Sequence, residues 1–335
     1  MRALVYLGPR RMELQELADP EPGEGEVVIR TGSAAICGSD LHGFREASPR
    51  RVPPLVMGHE AVGTVDAVGP GVDAVRIGER VVLKPIIGCG ACTRCAERSI
   101  NLCRDGRLVG RDRPGAFAEL VAVPAEAAVA VPDGMPDDVA VMTEPLANAV
   151  HVATMAVSSG GSVFVIGTGP IGSLMVAASR AMDAGRVWAS DVDPDRLRFA
   201  ARMGGEPLAA EGAVDAVIGA TDGWGADVVI DAVGVEATWR TALDAVRPGG
   251  TVVEVGLGAP TGSLDYFRVL NKEATIRGSY GWRDAEFDEA LAWLAAGTVD
   301  VGGWISRTPL AEGQRAFEEL VDGDGSRFKV VLGFG

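Results

Sequence analysis

The run Ser162-Val163-Phe164-Val165-Ile166, followed at once by Gly167-Thr168-Gly169-Pro170-Ile171-Gly172, constrains the fold more than any other stretch. A continuous apolar run suits a strand buried on both faces of a parallel sheet. The glycines open a helix reading to about Met182, and Val187 to Asp191 is the next strand. In such a unit Gly167, Gly169 and Gly172 let the backbone approach a pyrophosphate at the helix N-terminus, with Pro170 and Ile171 in the turn. Asp191 stands 19 residues after Gly172, where an acid accepts from a ribose 2′-hydroxyl. A carboxylate there repels a 2′-phosphate, so NAD is expected rather than NADP; the plainer alternative is that Asp191 caps the next helix. Arg196 either covers the adenine or is a solvated helix residue. Asp227 to Val233 and Gly250 to Leu257 read as further strands around a helix at Glu236 to Val246. Val233, Val255 and Leu257, at their ends, are expected to face the nicotinamide half of the coenzyme.

That unit needs only part of a 335-residue chain, which exceeds what one hydrophobic core usually serves. Two domains follow. The first 35 residues alternate short β-like runs with the turn-rich Pro20 to Gly25, and Ala61 to Val82 continues the pattern with Gly63, Gly69, Gly71 and Gly78 between Val-rich strands. An Ala-rich helical segment near Thr143 leads out of this β module. The expected division is 1–148, 149–275, and a return to the first domain over 276–335.

Cys37, His59 and Glu60 offer a thiolate, an imidazole and a carboxylate, groups that hold Zn²⁺ and leave a fourth position open. Between them, Ser39 and His42 can pass a proton outward, since a hydroxyl both donates and accepts while an imidazole titrates near neutrality. Taken singly, Cys37 reads equally as a small buried hydrophobe and His59 as a core histidine. Glu144, an acid on an apolar stretch, is a helix cap or a further or interchangeable ligand of the same metal.

Cys89, Cys92, Cys95 and Cys103 are spaced Cys-x2-Cys-x2-Cys-x7-Cys, on a loop expected over about 86–106. Four thiolates at short spacing suit a closed structural zinc site. An iron–sulfur cluster also takes four thiolates, but ferredoxin spacings differ. Arg94, Arg98 and Arg104 stand where they can offset the site's negative charge or simply be solvated.

Five cysteines, an odd number, argue for metal over disulfides in a chain whose start, Met1 to Tyr6, reads as a strand rather than an export signal. No run of about eighteen uncharged apolar residues occurs. A cytoplasmic protein is the expectation. The net charge of −15 and pI near 4.7 argue against nucleic acid or an anionic membrane as partners, since the only dense basic cluster, Arg45 to Arg51, is short and mixed. Of the 31 basic residues only Lys84, Lys272 and Lys329 are lysine, an asymmetry attributable to coding bias.

Together CGSDLH at 37–42, GHEAVGTVDAVGPGV at 58–72, the four-cysteine lobe, EPLANAVH at 144–151 and GTGPIG at 167–172 give the whole chain its resemblance to the zinc-dependent medium-chain dehydrogenase/reductase family, the alcohol dehydrogenase-like proteins. The stretches at 58–72 and 144–151 look closest to the polyol and threonine dehydrogenase branch. The resemblance implies an α/β chain with a GroES-like β-rich catalytic domain, a Rossmann coenzyme domain with a doubly wound parallel sheet, and a homodimer or homotetramer. It also implies a catalytic zinc on Cys37, His59 and either Glu60 or Glu144, a structural zinc on the four-cysteine lobe, and NAD. Two departures stand out. Gly38 replaces the basic residue that some relatives place against the pyrophosphate, and Gly278 to Arg283 lacks the threonine-specific pattern.

The activity expected is oxidation of a secondary alcohol, with Ser39 taking the proton and passing it towards His42. Polar side chains at Arg45, Glu46, Arg50, Arg51, Tyr280, Trp282 and Arg283 tilt the substrate towards a polyol, sugar, cyclitol or amino alcohol, although each of them reads equally as solvated surface. The rivals are a zinc-free quinone or enoyl reductase, which lacks these ligands, and a non-catalytic NAD-binding relative, which has no need of the Ser39–His42 relay.

Overall fold

The computed structural model describes residues 1–323 and 327–334. The chain divides into two compact units, the first from Met1–Glu144, Arg283–Ala295 and the stretch from Val301 on, the second from Pro145–Trp282 and Ala296–Asp300.

In the first unit, among the described residues, a seven-stranded sheet runs Ala128–Ala130, Arg80–Leu83, Glu60–Val68, Glu26–Ala35, Lys329–Gly333, Ile305–Pro309, with Leu120–Pro124 also on Glu26–Ala35. Its register assembles the candidate metal residues. Antiparallel pairing sets Ala35 opposite Glu60, so the chain two residues beyond Ala35 meets the chain just before Glu60, and Cys37 arrives beside His59. On the other side Val331 opposes Ala35, and the same register carried two residues further sets Lys329 level with Cys37. The core beneath is apolar and includes Met57, Phe44, Phe117 and Phe317, all fully buried. A two-stranded ribbon, Ile86–Ile87 against Arg107–Leu108, holds the cysteine loop at its base.

The second unit carries a six-stranded parallel sheet in the order Glu206–Ala209, Arg186–Asp191, Ser162–Ile166, Ala226–Asp231, Val246–Glu254, Thr275–Gly278. This is the doubly wound order, reversing direction between Ser162–Ile166 and Ala226–Asp231, where ligands of such sheets bind. The expected boundary at 275 and 276 falls inside the last strand. Thr275–Gly278 pairs in parallel with Thr251 to Glu254, so backbone hydrogen bonding keeps the chain in the second unit as far as Trp282. The strand ends expected at Val233 and Leu257 lie earlier, at Asp231 and Glu254, leaving those residues in the following turns. Among the described residues, no helix is long and apolar enough to cross a membrane.

Candidate active site

Helix Gly38–Arg45 begins directly after Cys37 and carries Ser39 and His42 at an i, i+3 spacing, both half-buried and on one face. Asp40, fully buried in its first turn, accepts from the Cys37 backbone N–H at 3.2 Å, so the helix start and the thiol are set by one carboxylate. One ligand atom from each of Cys37, His59 and Glu60 lies within 4.8 Å of the others. His59 and Glu60 are buried and Cys37 is partly so.

Around this set, His59 Nδ1 stands 3.5 Å from Asp40 Oδ1, which leaves Nε2 as the nitrogen to meet a metal. Burial works against a charged His59, yet Asp40 and Cys37 hold its pKa well above the usual imidazole range. Anionic groups, the Asp40 carboxylate and the Cys37 thiol in its thiolate form, thus flank the imidazole, as a metal-binding imidazole requires. Burial pushes the Glu60 carboxyl up, and its neighbour Glu144 adds to this, while Lys329 pulls it down through an ion pair at 2.5 Å. Apart from the Lys329 contact to Oε2, the buried Glu60 oxygens have no hydrogen-bond partner among the described residues. A thiolate, an imidazole and an under-satisfied buried carboxylate converging on one point form a donor set that fits zinc. Glu144 is the second residue of helix Thr143–Ala156 and is buried close enough to act on both Glu60 and Lys329. The compact three-ligand set contains Glu60 and omits it.

The four cysteines of the loop also converge. The Cys92 sulfur is 3.6 Å from that of Cys95 and 3.7 Å from that of Cys103, and Cys89 and Cys95 are 4.0 Å apart. Sulfurs about 2.3 Å from a tetrahedral zinc would lie about 3.8 Å from one another. The cage fits. Hydrogen bonding from the Cys95 backbone holds the Cys92 thiol down at about 6, whereas burial pushes Cys95 up to about 11. The arginines expected to offset the cage's charge do otherwise: Arg94 pairs with Glu97 at 2.9 Å, Arg98 with Asp284 at 3.7 Å and Arg104 with Asp105 at 3.5 Å. All three side chains are exposed, as the solvated alternative has it. A Cys92→Ser variant should lose one zinc per chain by elemental analysis and melt roughly 5–10 °C lower, because a closed metal site contributes folding energy. An unchanged melting temperature with the zinc lost would count against a structural role.

In the second unit the glycine turn has the expected form. Gly169 precedes helix Pro170–Ala181, with Pro170 at its first position. A Cβ on Gly172 would lie 1.8 Å from the Gly167 carbonyl oxygen, so only glycine lets the helix pack this close to its strand. Asp191 is buried at its strand end. Its Oδ2 accepts from the Thr168 N–H at 2.7 Å and Oδ1 from the Asp193 N–H at 2.9 Å. The capping alternative belongs to Asp193, whose carboxylate accepts from the Asp195 N–H at 2.8 Å. Arg196 is half-buried and stands 3.6 Å from Asp193. The Val233 and Gly234 N–H groups donate to Asp231 Oδ1 at 2.8 and 3.0 Å, and those of Val255 and Gly256 to its carbonyl at 3.0 and 2.9 Å. Val233 and Leu257 are thus left exposed just past the strand ends.

Two residues escaped sequence reasoning. Lys329 is nearly fully buried on Glu60. Arg51, read as pocket wall or surface, is buried against Asp40 at 2.8 Å, because Asp40 needs a cation once the fold encloses it. Trp282 is fully buried and belongs to packing, whereas Tyr280 and Arg283 are exposed.

A doubly wound sheet with a glycine turn, and a separate β unit with an open three-ligand metal set, define a zinc- and nicotinamide-dependent oxidoreductase. Residues 23–133 match the alcohol dehydrogenase GroES-like domain and residues 170–296 the zinc-binding dehydrogenase domain. The L-threonine 3-dehydrogenase of Chelativorans sp. (strain BNC1) is 35% identical over 99% of this chain and 98% of its own. Among solved structures, the alcohol dehydrogenase TADH from Thermus sp. ATN1 superposes with a TM-score of 0.90 at 34% identity, over 99% of both chains. The L-idonate 5-dehydrogenase from Escherichia coli str. K-12 substr. MG1655 gives 0.91 at 28% identity, over 99% of this chain and 98% of that one. The chain belongs to the zinc-dependent medium-chain dehydrogenase/reductase family. Its reaction is hydride transfer between a CH–OH donor and a nicotinamide coenzyme.

Proposed function

We propose that this chain oxidises a secondary alcohol bearing neighbouring hydroxyl or amino groups to the corresponding ketone, with NAD⁺ as hydride acceptor. The observation that carries this reading is the convergence of Cys37, His59 and Glu60 within 4.8 Å, directly before the helix that bears Ser39 and His42. Zinc held by Cys37, His59 and Glu60 supplies Lewis acidity towards the substrate oxygen. Ser39 accepts the hydroxyl proton and releases its own towards His42, which hands it to water. Asp191 receives the ribose 2′-hydroxyl, and the turn Gly167–Gly172 receives the pyrophosphate. Gly38 offers no side-chain cation, so the phosphate contact falls to backbone N–H groups. The polar substrate class is supported by relatives named for threonine and idonate. The same fold and ligand set serve many alcohols, so substrate choice lies in side chains around the site.

The test is NADH formation by zinc-loaded protein across simple secondary alcohols, polyols, aminocyclitols and L-threonine, repeated with NADP⁺. Turnover of polar secondary alcohols with NAD⁺ is expected; turnover of simple alcohols alone would overturn the substrate class. Asp191→Asn removes the charge but keeps an acceptor for Thr168, and should raise the NADP⁺ to NAD⁺ preference at least tenfold, about 1.4 kcal/mol. An unchanged ratio would remove Asp191 from coenzyme discrimination.

The working assembly is a homodimer or homotetramer. Strand Thr275–Gly278 is exposed along its length at the sheet edge, and the preceding helix, Tyr266–Lys272, leaves Tyr266 67%, Phe267 74% and Leu270 50% exposed. Light scattering should return two or four times the chain mass of 34.7 kDa; a single chain mass would exclude this assembly.

A further inference from the structure

Ser39 and the carboxylate that faces His59 and Cys37 meet on one side chain. Arg51 Nη2 donates to Asp40 Oδ1 at 2.8 Å and to the Ser39 hydroxyl at 3.2 Å. Asp40 in turn faces His59 Nδ1 at 3.5 Å and accepts from the Cys37 N–H at 3.2 Å. Arg51 is only 7% exposed and Asp40 is completely buried, so no water screens the pair. Space for the guanidinium is made by Gly43, on the same helix one turn after Ser39. A Cβ at Gly43 would stand 2.4 Å from Arg51 Cδ and 3.2 Å from Nε. The loop that delivers Arg51 is pinned by its own N–H, which donates to the Ser48 carbonyl at 3.2 Å.

A serine hydroxyl has one hydrogen and two lone pairs. An arginine can only donate and keeps its charge at any working pH. One Ser39 lone pair is therefore permanently taken, and the hydroxyl hydrogen cannot turn towards Arg51. What remains is one lone pair and the hydrogen. We propose that Arg51 is a positioning residue that fixes the polarity of the Ser39 hydroxyl and, through Asp40, the orientation of His59. Ser39 is left able to accept one proton from the substrate hydroxyl as its own O–H bond breaks and that hydrogen passes towards His42, so protons are conserved at every step. The proposal deepens the dehydrogenase reading given above and rests on it for its kinetic half. The half that concerns His59 stands on metal binding alone.

The experiment compares wild type with Arg51→Met, Arg51→Lys, Ser39→Ala, the Ser39→Ala/Arg51→Met double variant and Gly43→Ala. It measures kcat, both KM values and the affinity of the metal-stripped protein for Co²⁺, read from the cobalt absorption band. Arg51→Met should lower kcat at least tenfold with the NAD⁺ KM within about twofold, and should weaken Co²⁺ binding about tenfold, as loss of an outer partner typically does. Arg51→Lys should recover most of the Co²⁺ affinity, because an ammonium still reaches Asp40. The double variant should be no slower than Ser39→Ala within about twofold. Gly43→Ala keeps the guanidinium but crowds it out of place, and should reproduce the kcat loss even if Arg51→Met folds poorly. Penalties that multiply in the double variant, wild-type kcat in Gly43→Ala, or wild-type Co²⁺ affinity in Arg51→Met would each overturn the proposal. Should wild type turn over no alcohol with either nucleotide, the dehydrogenase reading fails by itself, and the Co²⁺ affinities still decide the Asp40–His59 half.

Discussion

Changing His59 to alanine should cost on the order of a thousandfold or more in kcat/KM and one of the two zinc ions expected per chain, while the coenzyme unit keeps its fold. The size follows from what the metal supplies, several kcal/mol towards the charge that develops on the substrate oxygen. Cys37→Ala should behave alike, since the two residues are brought together by one strand register, Ala35 opposite Glu60. Elemental analysis separates this from unfolding. Zinc should remain on the four-cysteine cage, and NADH binding, followed by its fluorescence, should persist. Turnover at the wild-type rate with only the cage zinc present would remove Cys37 and His59 from the reaction.

Lys329→Met is expected to be the most destabilising single change in the first unit, at about 3–5 kcal/mol in metal-free protein. Lys329 Nζ lies 2.5 Å from Glu60 Oε2, with the side chains 3% and 0% exposed. Burial alone would lower the pKa of this lysine, yet Glu60 and Cys37 raise it, so the ammonium is held charged inside the protein. Without it, Glu60 faces Glu144 with only His59 to offset the charge, and its carboxyl moves further upward. An acid whose folded pKa exceeds its unfolded value of about 4.3 binds more protons in the folded state, so its destabilising effect grows as pH rises above that value. Urea melts of the metal-free variant should therefore show a smaller deficit at pH 5 than at pH 8. Adding Glu60→Leu should recover most of the loss, because removing both charges avoids the uncompensated one. A deficit independent of pH and untouched by the second change would show that the pair is not what holds this region together.

Local pattern carried a good deal of this molecule. The glycine turn, its preceding strand and Asp191 are contiguous features whose chemistry is written in residue type and spacing, and so are the four cysteines. What escaped depends on register between distant strands. Lys329 lies between Phe328 and Val330 in an apolar run, and in a chain with 28 arginines a lysine kept there was a signal passed over as coding bias. Its meaning needed the pairing of Val331 with Ala35. Arg51 sat among other arginines in a loop, where composition argues for solvent. Only the bare Gly43 face one turn along the helix distinguishes it from Arg45 and Arg50. Arg94, Arg98 and Arg104 follow the solvated alternative, each exposed and beside a surface carboxylate that sequence proximity to the thiolates does not reveal. The choice between Glu60 and Glu144 is open in the sequence for the same reason, as both are acids on apolar stretches, and in the structure Glu60 lies in the cluster with Cys37 and His59 while Glu144 stands close enough to act on it.

Strand Lys329–Gly333 inserts between Glu26–Ala35 and Ile305–Pro309, so one side of the first sheet is built from segments made at very different times. On a ribosome, Cys37, His59 and Glu60 emerge early, and the whole parallel sheet of the second unit follows before Lys329 appears. During that interval Glu26–Ala35 lacks one of its neighbours and Glu60 lacks Lys329, while the nucleotide-binding half already has every strand it needs. The Glu60–Lys329 pair is accordingly completed late in the synthesis of each new chain. A nascent chain stalled before residue 329 should already bind nucleotide but hold metal only loosely at Cys37 and His59.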